Sequence, residues 1–384
     1  MQLDVADSDL GDRLGAGGQA VIHDLPGLRL PDVPGPLVYK KYRDDRAPRT
    51  HDMLRLVQLR EGLTGADRAR LDAIATWPVR LVCDGPDLRG VVLPRIPDSY
   101  FQPVTLPGTG ASKKLVREVQ HLFVDPAIGR RTGMPEVTRE QRLTICRDFA
   151  AALDFLHGPA MDVVFGDINA KNELFRLGPD PTVMLVDCDA VRPRGAVTGG
   201  LQLNAPDWEP LGRTTLNRAT DLYKLGLFVL RCVLPPGSQT STRRDPVPGL
   251  LDDAGTALLT RALSPDPHDR PAAGEWRRYL SLALGPPAFV FDPPGWADLP
   301  VPMPRLGPPP VVELVLPDLS PVLSLDVPAL DFEPPPLTGV TAPATPPATY
   351  HPLPTPPITL PGLDPGDPEP VDLTDLFLPR KGTP

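Results

Sequence analysis

The sequence predicts an α+β protein with a strand-rich first part, a mainly helical second part and a proline-rich extension. Three observations predict it. Residues 11–100 carry short β-branched and aromatic runs bounded by Gly and Pro, such as LVYKKY (37–42) and GVVLPRI (90–96); such residues suit a half-buried pleated surface. Residues 135–282 carry apolar side chains at helical spacing. From about Gly285 the periodicity stops: 29 of the 55 prolines fall between Pro286 and Pro384, where they remove backbone donors and fix φ.

The first segment, MQLDVADSDL, is acidic and lacks the basic-then-apolar order of a secretory leader. No apolar run approaches the roughly 18–20 residues that span a bilayer. Four cysteines, Cys83, Cys146, Cys188 and Cys232, form no CxxC pair. So few thiols in 384 residues do not build a disulfide framework and fit a reducing compartment. The expectation is a cytoplasmic protein without a membrane segment.

LGAGGQAVIH (14–23) comes next. Gly15, Gly17 and Gly18 would let a hairpin approach a phosphate closely, because glycine carries no Cβ; alone they equally describe a plain turn. Ile22 supplies a β-branched residue after them. In the strand LVYKKY, Val38 and Lys40 share one side and Lys41 the other. A surface charge is the usual reading of a lysine; sharing a face with an apolar residue weakens it for Lys40. HDMLRLVQLREGL (51–63) follows, with Met53, Leu54, Val57 and Leu63 at spacings that suit one helical face. Its Glu61 is the candidate carboxylate partner for Lys40.

The clearest helix is VTREQRLTICRDFAAALDFLH (137–157), where Leu143, Cys146, Phe149, Ala150, Leu153 and Leu156 recur on one face. Thr138 and Gln141 have capping-box spacing. VVFGDINAKNELF (163–175) then places Asp167 five residues before Asn172. VMLVDCD (183–189) is an apolar strand ending in Asp187 and Asp189, and buried carboxylates at a strand end are costly unless they meet a cation or donors. TDLYKLGLFVLRCVL (220–234) is apolar nearly all round and reads as a buried helix, with Thr220 or Asp221 as its cap.

The proline-rich segment holds twelve Asp and Glu against three cations, Arg305, Arg380 and Lys381, and so carries the whole net charge of −9. It reads as a disordered or polyproline-II tail. Its DLTDLFLP (372–379) is either a docking helix or a frayed end. The remainder is balanced and has no positive field to attract nucleic acid non-specifically.

Taken in order, the glycine hairpin, Lys40, D-x-x-x-x-N and the later Asp187 resemble the eukaryotic-like protein kinase superfamily over about residues 11–282. NAPDW (204–208) is similar to the A-P-E motif, with Asp207 at the acidic position. DLYKLG (221–226) resembles the helix whose aspartate braces the catalytic loop. SPDPHDRP (264–271) resembles D-P-x-x-R-P, with Arg270 expected to pair with Asp207. G-D-x-N-x-x-N followed by D-x-D looks like a bacterial branch found beside von Willebrand-A-type proteins and metal-dependent protein phosphatases. The resemblance implies a bilobal kinase-like fold: an N-lobe over 1–97, a C-lobe over 98–284 and a tail over 285–384. It implies ATP and Mg²⁺ as cofactors and a protein substrate. Asp167 and Lys40 would be catalytic, and Asn172 and Asp187 would hold the metal. Gly15, Gly17, Gly18, Ile22, Val38, Lys40, Glu61, Leu93, Ile96 and Leu174 would surround the nucleotide, with Leu174 as the adenine floor.

Several positions depart from the family pattern. Phe165 and Gly166 replace the His-Arg before the catalytic aspartate, Asn169 replaces the loop lysine, and Cys188 and Asp189 replace Phe-Gly after Asp187. Loss of the arginine implies no clamp for a phosphorylated activation loop. Three activities are compatible: a protein Ser/Thr kinase in bacterial signalling or stress response, a small-molecule phosphotransferase, and a nucleotide-binding pseudokinase scaffold.

Overall fold

β-Branched and aromatic residues build the first sheet. β1 (Gln2–Leu3), β2 (Arg13–Ala16), β3 (Ala20–Asp24), β4 (Leu37–Tyr42), β5 (Arg80–Asp84) and β6 (Asp87–Pro94) hydrogen-bond in the order β1-β5-β6-β4-β3-β2. β1 is parallel to β5 and the other neighbours are antiparallel. The computed structural model describes residues 2–6, 9–43, 46–105, 110–195, 205–210, 216–237 and 240–285, all within one compact unit. The proline-rich segment, with DLTDLFLP, lies outside the described residues.

β4 follows the predicted run residue for residue. Its alternation separates two cores. Leu37 and Tyr39 pack with Leu25, Val33, Val79, Val82 and Val92. Tyr42 faces the main core beside Met53. Lys40 pairs across the ladders with Ile22 on β3 and Val91 on β6. Gly90 lets β6 close on β4 here: a Cβ added to it would lie 2.3 Å from the Lys40 carbonyl oxygen.

α1 (Thr50–Gly62) and α2 (Gly65–Ile74) connect β4 to β5. α1 buries Met53, Leu56, Val57 and Arg60; Leu54 packs at the edge of the core. The fully buried Arg60 guanidinium is held by Asp72 at 2.7 and 2.8 Å and by the Asp32 carboxylate at 2.9 Å. A buried arginine of this kind is tolerable because three of its five donors go to carboxylates and a fourth to the Asp32 backbone carbonyl. The two arginines beside Asp32, Arg80 and Arg60, overcome the effect of its burial and hold its pKa down to about 2.

β7 (Phe101–Thr105) and β8 (Ser112–Val116) form a hairpin, followed by α3 (Pro126–Thr132) and α4 (Arg139–His157). Thr138 and Gln141 close the expected capping box on α4. The site strands are β9 (Val163–Val164), β10 (Glu173–Arg176), β11 (Thr182–Leu185) and β12 (Arg192–Pro193), paired β10 with β11 and β9 with β12. The helices α5 (Arg218–Val233), α6 (Asp253–Ala262) and α7 (Ala273–Leu284) complete seven α-helices among the described residues.

α5 is buried along nearly its whole length, as its composition predicts. Its cap differs from the expectation. Asn217 accepts the Thr220 N–H at 3.0 Å while the Thr220 hydroxyl accepts the Asn217 N–H at 2.9 Å. Thr220 is therefore the third residue of the box, and Asp221 is free for another task. Phe149 of α4 and Phe228 of α5 lock the two helices, with ring centroids 4.4 Å apart. Among the described residues no helix is long and apolar enough to cross a membrane. All four cysteines are free.

Candidate active site

Asp167 sits on the loop between β9 and β10. That loop is hung from α5. The Asp221 carboxylate, completely buried, accepts the backbone N–H of Phe165 at 2.8 Å and of Gly166 at 2.9 Å. Lys224, one turn further along α5, donates to the Gly166 carbonyl at 2.8 Å and to Glu209 at 2.6 Å. Gly166 has φ +82°, a left-handed conformation that glycine adopts without a Cβ clash. A glycine at this position thus suits the loop's path.

Asp167 is fixed from the other side by amides. Asn172 donates its Nδ2 to the Asp167 carboxylate at 2.8 Å and to its carbonyl at 2.9 Å, and Asn169 reaches the same two groups at 3.2 and 3.1 Å. Burial raises the Asp167 carboxyl to a pKa of about 6, against the pull of Asn169. The Asn172 amide nitrogen is occupied, which leaves its carbonyl oxygen as the acceptor. Lys171 is exposed, as expected for a surface charge.

β10 starts directly after Asn172, and β11 returns beside it: Val186 N–H donates to the Asn172 backbone carbonyl at 2.9 Å. This hairpin brings Asp187 beside Asn172. Asp187 has φ +60° and ψ +38°, a left-handed backbone on a non-glycine residue, which costs on the order of 1–2 kcal/mol. Strain of this kind gathers at functional sites.

Lys40 reaches this hairpin from the sheet. Its ammonium donates to Asp187 and to both oxygens of Asp189, at 2.9 and 2.8 Å. Tyr42, two residues on and on the same face of β4, donates its hydroxyl to Asp189 at 2.7 Å. The side chains of Lys40 and Asp189 are 7% and 8% exposed, whereas that of Asp187 is 40% exposed. Burial alone would lower the Lys40 pKa; Asp189 and Asp187 more than reverse it and keep the amine charged. Burial and the neighbouring Asp189 push Asp187 up. For Asp189, Lys40 and Tyr42 outweigh burial and hold it down.

The expected pairing of Glu61 with Lys40 is not formed. Glu61 lies 3.8 Å from Arg80 on the flank of α1. The physical reason is the rotation of the helix: Arg60 takes the inward position and is tied to Asp32 and Asp72. Arg270 also differs from expectation. It donates to the carbonyls of Ala219 and Ser264 and lies over the Tyr223 ring. The Asp207 carbonyl takes Arg231, which stacks on Trp208.

The glycine segment forms the β2–β3 hairpin, with Gly17 N–H bonded to Ala20 O at 2.9 Å. Gly15 is half-buried, and Gly17 and Gly18 are exposed. A Cβ at any of the three would meet nothing within 4 Å, and none has positive φ. The fold itself does not demand glycine there. Among the apolar candidates, Ile22 lies opposite Lys40, and Val38 lies opposite Leu93. Ile96 and Leu174 pack in one cluster with Tyr100 and Met184.

Tyr42, His157 and Glu173 were not singled out from the sequence. Tyr42 could have been found from the period of β4, since it shares the Lys40 face. His157, ending α4, is 3.1 Å from Asp221. Glu173 carried no signal: an acidic residue beside Asn172 reads as loop, yet it is fully buried. Among the described residues its carboxylate oxygens have no hydrogen bond of good geometry, although the Asn169 backbone donor lies near enough to oppose the effect of burial. Burial and then the Asp167 charge raise its pKa well above the usual range.

No family model matches the chain. Among curated proteins it is similar to the L-type lectin-domain containing receptor kinase I.7 of Arabidopsis thaliana, with 31% identity over 221 residues. The match covers 47% of this chain and 31% of that protein. The chain therefore spans less than a third of its relative's length. The likeness is distant, and it is to a kinase.

Proposed function

We propose that the protein is a bilobal kinase-like phosphotransferase that uses Mg²⁺-ATP to phosphorylate a serine or threonine hydroxyl of a protein. The observation that carries this reading is the meeting of Lys40 with Asp187 beside the Asp167–Asn172 loop. Four residues separated by up to 147 positions converge on one spot, and each has the chemistry that phosphoryl transfer needs. The distant likeness to a receptor kinase supports the same class.

The donor set suits magnesium bound with a nucleotide. Among the described residues no group of three or more His, Cys, Asp or Glu is arranged to hold a metal. Mg²⁺ commonly takes one or two protein oxygens and completes its shell with phosphates and water. The half-open Asp187 carboxylate and the Asn172 side-chain oxygen Oδ1 are such a pair. When bound, the ion would neutralise charge on the phosphates.

The remaining work belongs to the chain. Lys40 supplies a fixed positive charge for the phosphates. The hairpin glycines leave room for them, and Ile22, Val38, Leu93, Ile96 and Leu174 offer apolar walls for the base. Asp167 accepts the proton of the acceptor hydroxyl. As that proton leaves, the acceptor oxygen bonds to the γ-phosphorus, the bond from that phosphorus to the β–γ bridging oxygen breaks, and ADP departs. A carboxylate raised to about 6 is matched to this task near neutral pH.

One observation favours a second reading, a nucleotide-binding scaffold. Asn169 brings no cation to the loop and spends its amide on Asp167. The setting in bacterial signalling beside von Willebrand-A-type proteins and phosphatases rests on the sequence motifs. A thermal-shift titration separates the readings from the absence of any nucleotide role. Saturating Mg²⁺-ATP should stabilise the full chain by about 2.7 kcal/mol at a hundredfold excess over Kd. No shift at millimolar nucleotide would remove both the kinase and the scaffold.

A further inference from the structure

We propose that Asp189 is the positioning residue for Lys40, with Tyr42 holding Asp189 in turn, and that this anchor replaces a carboxylate from the helix. Its catalytic consequence rests on the phosphotransferase reading; the anchoring itself does not.

The Lys40 ammonium has three protons, and its three acceptors are the two oxygens of Asp189 and one of Asp187. The two carboxylates are not equivalent. Asp189 is nearly sealed, and one of its oxygens also accepts from Tyr42. Asp187 is 40% exposed and carries the strained backbone. The open carboxylate can turn to a ligand while the sealed one keeps its hold. Asp189 stands on a short 3-10 turn (Cys188–Ala190), whose Cys188 is buried and bonded through Sγ to the Leu185 carbonyl at 3.7 Å. Tyr42 is buried against Met53 of α1. Lys40, Tyr42 and Asp189 thus form a unit spanning β4 and the turn after β11.

The helix cannot substitute in this arrangement. Arg60 is tied to Asp32 and Asp72, and that tether keeps the neighbouring Glu61 at the flank by Arg80. With the carboxylate supplied by the turn, Lys40 is positioned without any swing of α1. The departure of Asp189 from glycine is then functional, since a glycine there would leave Lys40 with Asp187 alone.

The test reads Lys40 directly. The full chain and its Asp189→Asn, Tyr42→Phe and Glu61→Gln variants are treated at one pH with a small amine-acylating reagent. Lys40 modification is followed by mass spectrometry against the other lysines. Loss of a charged hydrogen bond predicts a rise in the Lys40 rate of roughly tenfold or more in Asp189→Asn, a smaller rise in Tyr42→Phe and none in Glu61→Gln. An unchanged rate in Asp189→Asn, or an equal rise in Glu61→Gln, overturns the proposal. If Asp189→Asn does not fold, Tyr42→Phe decides, and no rise there overturns it. A second arm measures KM for ATP and kcat in Asp189→Glu and Asp189→Asn. Partial recovery of KM in the glutamate variant supports a positioning role, and identical losses in both contradict it. Failure of the wild type to bind ATP would sink the nucleotide reading alone, and the labelling rates would still decide whether Asp189 anchors Lys40.

Discussion

The buried carboxylate of Asp221 accepts the backbone N–H of Gly166 at 2.9 Å, fifty-five residues away in sequence. It also takes the N–H of Phe165 and faces His157. One side chain of α5 therefore sets the position of the loop that carries Asp167. Asp221→Asn keeps the shape but offers one acceptor oxygen and turns an amide donor toward existing donors. It should lower stability by about 2–3 kcal/mol in urea unfolding, and the loss of nucleotide-dependent activity should exceed that expected from unfolding alone.

Two glycines should respond in opposite ways. Gly17 is exposed, and a Cβ there meets nothing. Gly17→Ala should leave stability within about 0.5 kcal/mol of wild type and weaken ATP binding, as a Cβ would crowd the approach of phosphate. At Gly90 a Cβ would strike the Lys40 carbonyl oxygen and the Tyr39 ring. Gly90→Ala should cost about 2 kcal/mol or more. Paired unfolding curves and nucleotide titrations check both.

Glu173 should make the fold less stable as pH rises. Burial raises its folded pKa, so the folded state holds a proton that the unfolded state has released. Its contribution is full below the unfolded value of about 4.3 and is lost as pH climbs through the folded pKa, at no more than about 1.4 kcal/mol per unit. Glu173→Gln cannot titrate. The variant's advantage over wild type should therefore grow from about pH 5 to pH 7 in urea unfolding. A constant difference would show that the folded state does not hold the Glu173 proton that the unfolded state releases, so that its pKa is not raised by burial.

Much of the fold was legible because local chemistry and tertiary role agree. The run 37–42 is β4, Thr138 and Gln141 cap α4, and the all-round apolar 220–234 segment is buried α5. The order of the motifs singles out Lys40, Asp167, Asn172 and Asp187 as candidates, and the fold brings Lys40 to Asp187 and Asn172 to Asp167. The partner of Lys40 was not legible. In α1 the stripe Met53, Leu56, Val57 continues to Arg60, and a cation there reads as exposed unless Asp32 and Asp72 are known to converge on it. Those partners lie 28 and 12 residues away. α5 starts before the expected Thr220 or Asp221: Asn217 and Thr220 cap each other reciprocally, and a box opened by Asn is not visible from the threonine and aspartate alone.

The proposed role of Asp167 as base predicts a pH profile. With its pKa at about 6, the carboxylate is protonated in acid, and a protonated base cannot take the hydroxyl proton. Activity should fall about tenfold per unit below that value and level off above it. Initial rates of phosphate transfer between about pH 5 and 8 check this. A flat profile would remove Asp167 from the proton step.

The most direct test of the central claim is transfer of radiolabelled γ-phosphate from Mg²⁺-ATP, with the acceptor mapped by mass spectrometry, in wild type and Asp167→Asn. The account predicts labelled serine or threonine in the wild type, and label reduced to background in a variant that still folds and binds ATP. No transfer by the wild type to itself or to any protein offered, or label that survives the substitution, would contradict it.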